Sequence, residues 1–250
     1  MNKLGWGWQI KFSGIALTIL SFLLLIIEIP LLAKSAIARE EKKSDSLVIF
    51  QPPPEDAKPE SAEGAASRNG NRCPGDLLAK SDRNSSVLKA IVPQGNFGLT
   101  TQKHPTFWAY IPPTTAQSAI LSIAKVGEKP HWHQAISLTG ESGTIGVKLD
   151  STTPGLKIGQ NYLWTLILIC NAHPHPNDPV VTAGVKRIPS NLPQNIAELE
   201  RATWYAKRGI WYDALDILAK EKSVLNNGEV LWSRYLRSGG FEINTFKNEN

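Results

Sequence analysis

Leu156-Lys-Ile-Gly159-Gln-Asn-Tyr162-Leu-Trp-Thr-Leu-Ile-Leu-Ile-Cys170 is the stretch on which the fold turns. A strand with one wet face alternates apolar and polar residues, whereas Leu163 to Cys170 is apolar at nearly every position. That predicts a central strand with both faces covered. Outward from it in both directions, short β-rich runs recur about every ten residues, separated by Pro, Gly, Asn and Ser. They centre on Leu88 to Val92, Phe97 to Thr101, Thr106 to Tyr110, Ala119 to Ala124, Gln134 to Leu138, Gly143 to Leu149, Tyr162 to Cys170 and Val180 to Ile188. Thr106-Phe107-Trp108-Ala109-Tyr110 alternates large and small side chains. Seven or eight such strands between residues 86 and 188 predict an antiparallel sandwich or barrel.

The spacing of Leu156, Gly159 and Tyr162 narrows this. It resembles the tyrosine corner of immunoglobulin-like and fibronectin type III sandwiches, in which the phenol closes a corner by bonding nearby backbone. The resemblance implies a mainly β chain with an immunoglobulin-like antiparallel β-sandwich over residues 73–190, and a structural role for Tyr162. After Ser190 the apolar period changes from two to about 3.6. Ile196, Leu199, Ala202 and Ala206 share one face. Gly209 punctuates, and Trp211, Ala214, Leu215, Leu218 and Ala219 form a second face reaching about Lys222. Glu229 to Arg237 reads as a third short helix with Val230, Leu231, Tyr235 and Leu236 inward. Tyr205, Gly209, Trp211 and Ala214 resemble the crossing point of a tetratricopeptide helical hairpin. One unit cannot bury its faces by stacking on neighbours. The segment 191–240 therefore either caps the sandwich, the leading reading because its aromatics are costly to leave exposed, or awaits a partner, and 241–250 reads as a tail.

The N-terminus is not fold. Lys3 and Lys11 precede an apolar run from Ile15 to Ile27, and Ala36-Ile37-Ala38 has the small-x-small form of a cleavage site. Residues 1–38 read as a signal peptide cut after Ala38; the alternative is an uncleaved anchor over residues 12–32. Both predict export to the periplasm or cell envelope. Residues 39–72, rich in Pro, Ser and Glu, read as a linker that buries too little apolar surface to order itself. The apolar run Leu47 to Phe50 is its exception. Of the chain's 27 basic and 22 acidic residues, three and one lie before Arg39, which leaves 24 against 21 and a net charge of +3. That implies no nucleic-acid partner. Export also places the only two cysteines, Cys73 and Cys170, in an oxidising compartment, where a pair reads as a disulfide.

Four stretches taken together resemble a known family: Cys73-Pro-Gly75; Phe97-Gly-Leu-Thr-Thr101 with His104-Pro-Thr-Phe-Trp-Ala-Tyr-Ile-Pro-Pro113; Leu156, Gly159, Tyr162 and Trp164 ending at Cys170; and Ala206 with Gly209-Ile-Trp-Tyr-Asp-Ala-Leu215. Their order over residues 70–222 is similar to the cyanobacterial family called domain of unknown function 928. The resemblance implies an exported β-rich domain followed by helices, and carries no catalytic residues.

The chemistry-bearing residues are few. His131 with His133, and His173 with His175 followed by Asp178, would supply metal ligands if the two segments met, which makes a metal-binding envelope protein the alternative function. Asp213 and Asp216 read as solvated or capping residues of a helix. No nucleophile elbow or phosphate loop is present, so the expectation is no enzyme and no cofactor. The leading reading is a structural or protein-interaction module of the envelope. Tyr212 and Trp232, facing away from the hairpin crossing, are its expected contacts with a protein partner.

Overall fold

Among the described residues eight strands form where the β-rich runs stand. They are β1 Lys89–Ala90, β2 Phe97–Thr100, β3 Thr106–Ile111, β4 Ser118–Lys125, β5 Trp132–Ser137, β6 Gly143–Lys148, β7 Asn161–Ile169 and β8 Val180–Arg187. Three helices follow: α1 Glu198–Ala206, α2 Trp211–Glu221 and α3 Gly228–Ser238. The structure, a computed structural model, describes residues 48–54, 72–76, 87–130 and 132–241. The expected signal or anchor, most of the linker and residues 242–250 lie outside the described residues. Among the described residues no helix is long and apolar enough to cross a membrane.

The strands make two sheets, ordered β1-β3-β6 and β2-β8-β7-β4-β5. Their inner faces share one core, in which Phe107 of β3 stacks on Trp164 of β7 with ring centroids 5.2 Å apart. This is a β-sandwich with Tyr162 at its corner: the phenol oxygen accepts the Lys157 N–H at 3.1 Å, while Gly159 takes φ +80 in the turn. The expectation of purely antiparallel pairing needs one correction. β2 runs parallel to β8, with Phe97 opposite Gly184 and Thr100 opposite Arg187. Gly184 leaves room there, since a Cβ on it would lie 2.8 Å from the Phe97 ring.

β7 is central, as its apolar run predicts, but only one of its faces is fully covered. Tyr162, Trp164, Leu166 and Leu168 are buried, whereas Leu163, Thr165 and Ile167 are half-buried on the outer side.

The helices close the sandwich on the side of the three-stranded sheet. Trp108 points outward from β3 and packs edge-on against Trp232 of α3 at 5.5 Å. α2 lies across β2 and β3, where Gly98 admits it: a Cβ there would be 2.9 Å from the Tyr212 ring. Gly209 turns α1 into α2 at φ +70. Val230 stands exposed on α3, against the inward placement expected for it, because the cap covers only the face carrying Leu231, Trp232, Tyr235 and Leu236.

Part of the expected linker belongs to the core. Val48 and Phe50 are buried, with Phe50 edge-on to Trp211 at 5.0 Å and to Tyr235 at 6.2 Å. The segment joins neither sheet. It is fixed to helix ends by the Phe50 N–H donating to Ser238 Oγ and the Gln51 N–H donating to the Ala206 carbonyl. The other tether is covalent, Cys73 to Cys170, with a sequence separation of 97 residues. Asp76 locks the Cys73 turn by accepting the N–H groups of Cys73 at 2.9 Å and Thr115 at 2.7 Å.

Candidate functional site

Tyr212 and Trp232 are not the contacts that helical periodicity predicts. They are 1% and 3% exposed. The faces they turn away from the hairpin crossing are the faces that meet the sandwich. Tyr212 accepts a hydrogen bond from Trp164 Nε1 at 2.7 Å and donates to the Gly184 carbonyl at 3.0 Å, which ties α2 to both β7 and β8. Burial pushes its phenol far above the ordinary tyrosine range.

Beside it lies a cleft of about 320 Å³, bounded by α1, α2 and the adjoining ends of β3 and β6. Its floor holds Asp213, expected as a solvated or capping residue and in fact buried. The carboxylate accepts the hydroxyl of Thr100 at 2.6 Å and the hydroxyl and amide of Thr101, so its lone pairs are spent on the end of β2. Burial raises its pKa above the ordinary carboxylate value, against the pull of the threonine donors. The sign in the sequence is that Asp213 stands between two apolar pairs, Trp211-Tyr212 and Ala214-Leu215; the structure buries all five residues. The rim is mixed in charge and largely self-compensated, with Arg201 on Glu198 at 3.1 Å and Lys220 on Asp216 at 2.9 Å.

The proposed metal ligands are not brought together. His131 lies outside the described residues. His133 is exposed on β5 and sits level with Ser122, which in turn faces Thr165 of β7. His173 and His175 follow the far end of β7, at least four residues further along, which is roughly 13 Å of strand. Asp178 is buried and accepts the His175 N–H at 2.8 Å, a turn bond that uses the carboxylate. Among the described residues no group of three or more His, Cys, Asp or Glu is placed to hold a metal ion.

The remaining surface of note is the outer face of the five-stranded sheet. One row crosses it as Ala135, Ile120, Ile167 and Val180, and the next as His133, Ser122, Thr165 and Thr182. A third holds Ala124, Leu163 and Gly184. None of these is Asp, Glu, Lys or Arg. Thr165 and Thr182 hydrogen-bond to each other across β7 and β8 at 2.9 Å.

The family model described as Domain of Unknown Function (DUF928) matches residues 63–249. The chain belongs to that family. The DUF928 match runs past the end of the resemblance read from sequence and takes in α3, in keeping with the packing of Trp232 on Trp108. No curated protein matches the chain. One solved structure similar to it is the fibronectin type III domain of human collagen alpha-1(XX) chain, at 9% identity and a TM-score of 0.26, covering 49% of this chain and 97% of that one.

The buried carboxyl of this DUF928 chain has a measurable consequence. A carboxyl that is harder to ionise in the fold than in the unfolded chain costs stability wherever both states are ionised, and the cost is relieved as pH falls through the folded pKa. Wild type therefore gains stability relative to Asp213→Asn between that raised pKa and about 3.8, the ordinary value. Parallel urea titrations of both proteins across the acid range read the difference directly. A gap that does not change with pH contradicts the raised pKa.

Proposed function

We propose that the protein is an exported, non-catalytic interaction module of the cell envelope that captures a protein partner on the outer face of its five-stranded sheet. The observation that carries this reading is the composition of that face, in which two rows across β5, β4, β7 and β8 and a third across β4, β7 and β8 hold no Asp, Glu, Lys or Arg. The opposite side of the sandwich has the helices over it, with Trp232 against Trp108. The α1–α2 hairpin, whose tetratricopeptide-like spacing gave a second candidate surface, has Tyr205, Trp211 and Ala214 buried in the common core. On strand and residue spacings the uncharged face measures roughly 400 Å². Its apolar part is the row Ala135, Ile120, Ile167 and Val180 with Ala124 and Leu163 beyond, and apolar patches on single proteins are often functional. The uncharged face is about half the roughly 800 Å² per partner of a stable complex, so the interface is transient or is completed by flanking residues.

Capture from envelope extracts with the full chain tests the reading. Ile120→Lys and Ile167→Lys are made separately, because two lysines would face each other across the β4–β7 pair. Each should abolish capture of the wild-type partner at a stability cost of about 1 kcal/mol or less. Retention of the same partner by both variants would sink the proposal.

A further inference from the structure

We infer that the face where the Val48–Pro54 segment enters the helical cap rests on an anionic lipid surface. The segment alternates, with Val48 and Phe50 buried and Ile49 between them left 42% exposed. Main-chain bonds fix where Ile49 stands. The Phe50 N–H reaches Ser238 Oγ at 2.9 Å, and the next N–H, that of Gln51, reaches the Ala206 carbonyl at 3.0 Å. The C-terminal ends of α1 and α3 therefore flank the segment. Each end carries exposed cations next to those acceptors, Lys207 and Arg208 after Ala206 and Arg237 before Ser238. None of the three has an ion-pair partner among the described residues, whereas Lys125, Arg201, Lys220 and Lys222 do. The acidic residues of the same helices lie at the opposite ends, Glu198 and Glu200 in the first turn of α1 and Glu229 in that of α3.

Helix dipoles favour a cation at each C-terminus. They do not account for an exposed isoleucine on the segment held between the two cation-bearing helix ends, nor for the Arg208 guanidinium stacked 4.0 Å over the half-buried Trp204 ring. Cations around an apolar side chain and a tryptophan suit the headgroup boundary, where the apolar group enters and the cations meet phosphate. A nucleic acid or an acidic polysaccharide would use the cations and leave Ile49 idle. The chain that reaches Val48 also comes from the apolar run ending at Leu32, which meets a membrane as signal or as anchor. An extended chain covers at most about 3.6 Å per residue, so an uncleaved run keeps this face within reach of the bilayer surface.

The test is co-sedimentation of the chain from Arg39 to Asn250, which keeps the whole compact unit from Leu47 onward. The vesicles are phosphatidylcholine alone or phosphatidylcholine mixed with phosphatidylglycerol, at low and high salt. The expected result is binding to the mixed vesicles that salt weakens. At roughly fivefold per cation, Lys207→Gln, Arg208→Gln and Arg237→Gln together lose about a hundredfold. Ile49→Asp also abolishes binding, while Lys129→Gln and Lys148→Gln leave it unchanged, with thermal melts confirming that each variant is folded. Equal binding to phosphatidylcholine, no binding, or binding that survives the triple change overturns the inference. Loss with the triple change but not with Ile49→Asp assigns the face to a different polyanion and overturns the lipid. The sheet-face proposal rests on different residues, so either reading can fail alone.

Discussion

Trp211→Ala should remove about 3–5 kcal/mol of stability, the range for emptying a large aromatic site in a core. The indole is fully buried, stacked on Tyr235 at 4.6 Å, edge-on to Phe50 at 5.0 Å, and bonded through Nε1 to the Ile91 carbonyl at 3.0 Å. It thus joins the N-terminal segment, the sandwich and two helices. A cavity there cannot collapse without moving all of them. Trp232→Ala should fall in the same class, because it uncovers Trp108 on the outer face of β3. Tyr212→Phe is the finer probe. It keeps the ring and strands the Trp164 N–H and the Gly184 carbonyl, for about 1–3 kcal/mol if neither finds water. Urea titrations read all three, with unchanged m values showing that stability and not compactness has moved. A Tyr212 or Trp232 variant as stable as wild type would return those residues to the surface and undo the account of the cap.

Losing the disulfide should be about as costly. On the loop-entropy account a cross-link closing a loop of roughly a hundred residues stabilises by about 4.7 kcal/mol, and Cys73 and Cys170 are 97 residues apart. Replacing both by serine, or reducing the bond, should therefore cost about 4–5 kcal/mol. The loss should appear in urea titrations with and without reductant, and the double variant should ignore the reductant. The Asp76 bonds to Cys73 and Thr115 span 3 and 39 residues and do not close the loop of 97. A loss below about 1 kcal/mol would mean that the unfolded chain already holds the two ends together.

The strands, the corner and the bridge were legible in the sequence because each is a short-range or an arithmetical matter. Strand-forming composition is a property of successive residues, and each of the eight strands falls within a residue or two of a short β-rich run. The Tyr162 bond spans five residues. Two cysteines permit one pairing. What only the tertiary structure decided is which surfaces meet. A helix pattern shows that α2 has more than one apolar side, and it does not say that Tyr212 fills a gap between Trp164 and Gly184 instead of meeting a partner. Phe50 is buried by rings that follow it by more than 150 positions, so a segment with a linker's composition becomes core. Asp213 is buried because β2 ends in two threonines against it, and β2 lies there only because it closes the sheet in parallel beside β8. Local periodicity is set by neighbours in the chain, whereas burial of a given face is set by whatever long-range closure brings to it, and closure depends on the whole chain at once.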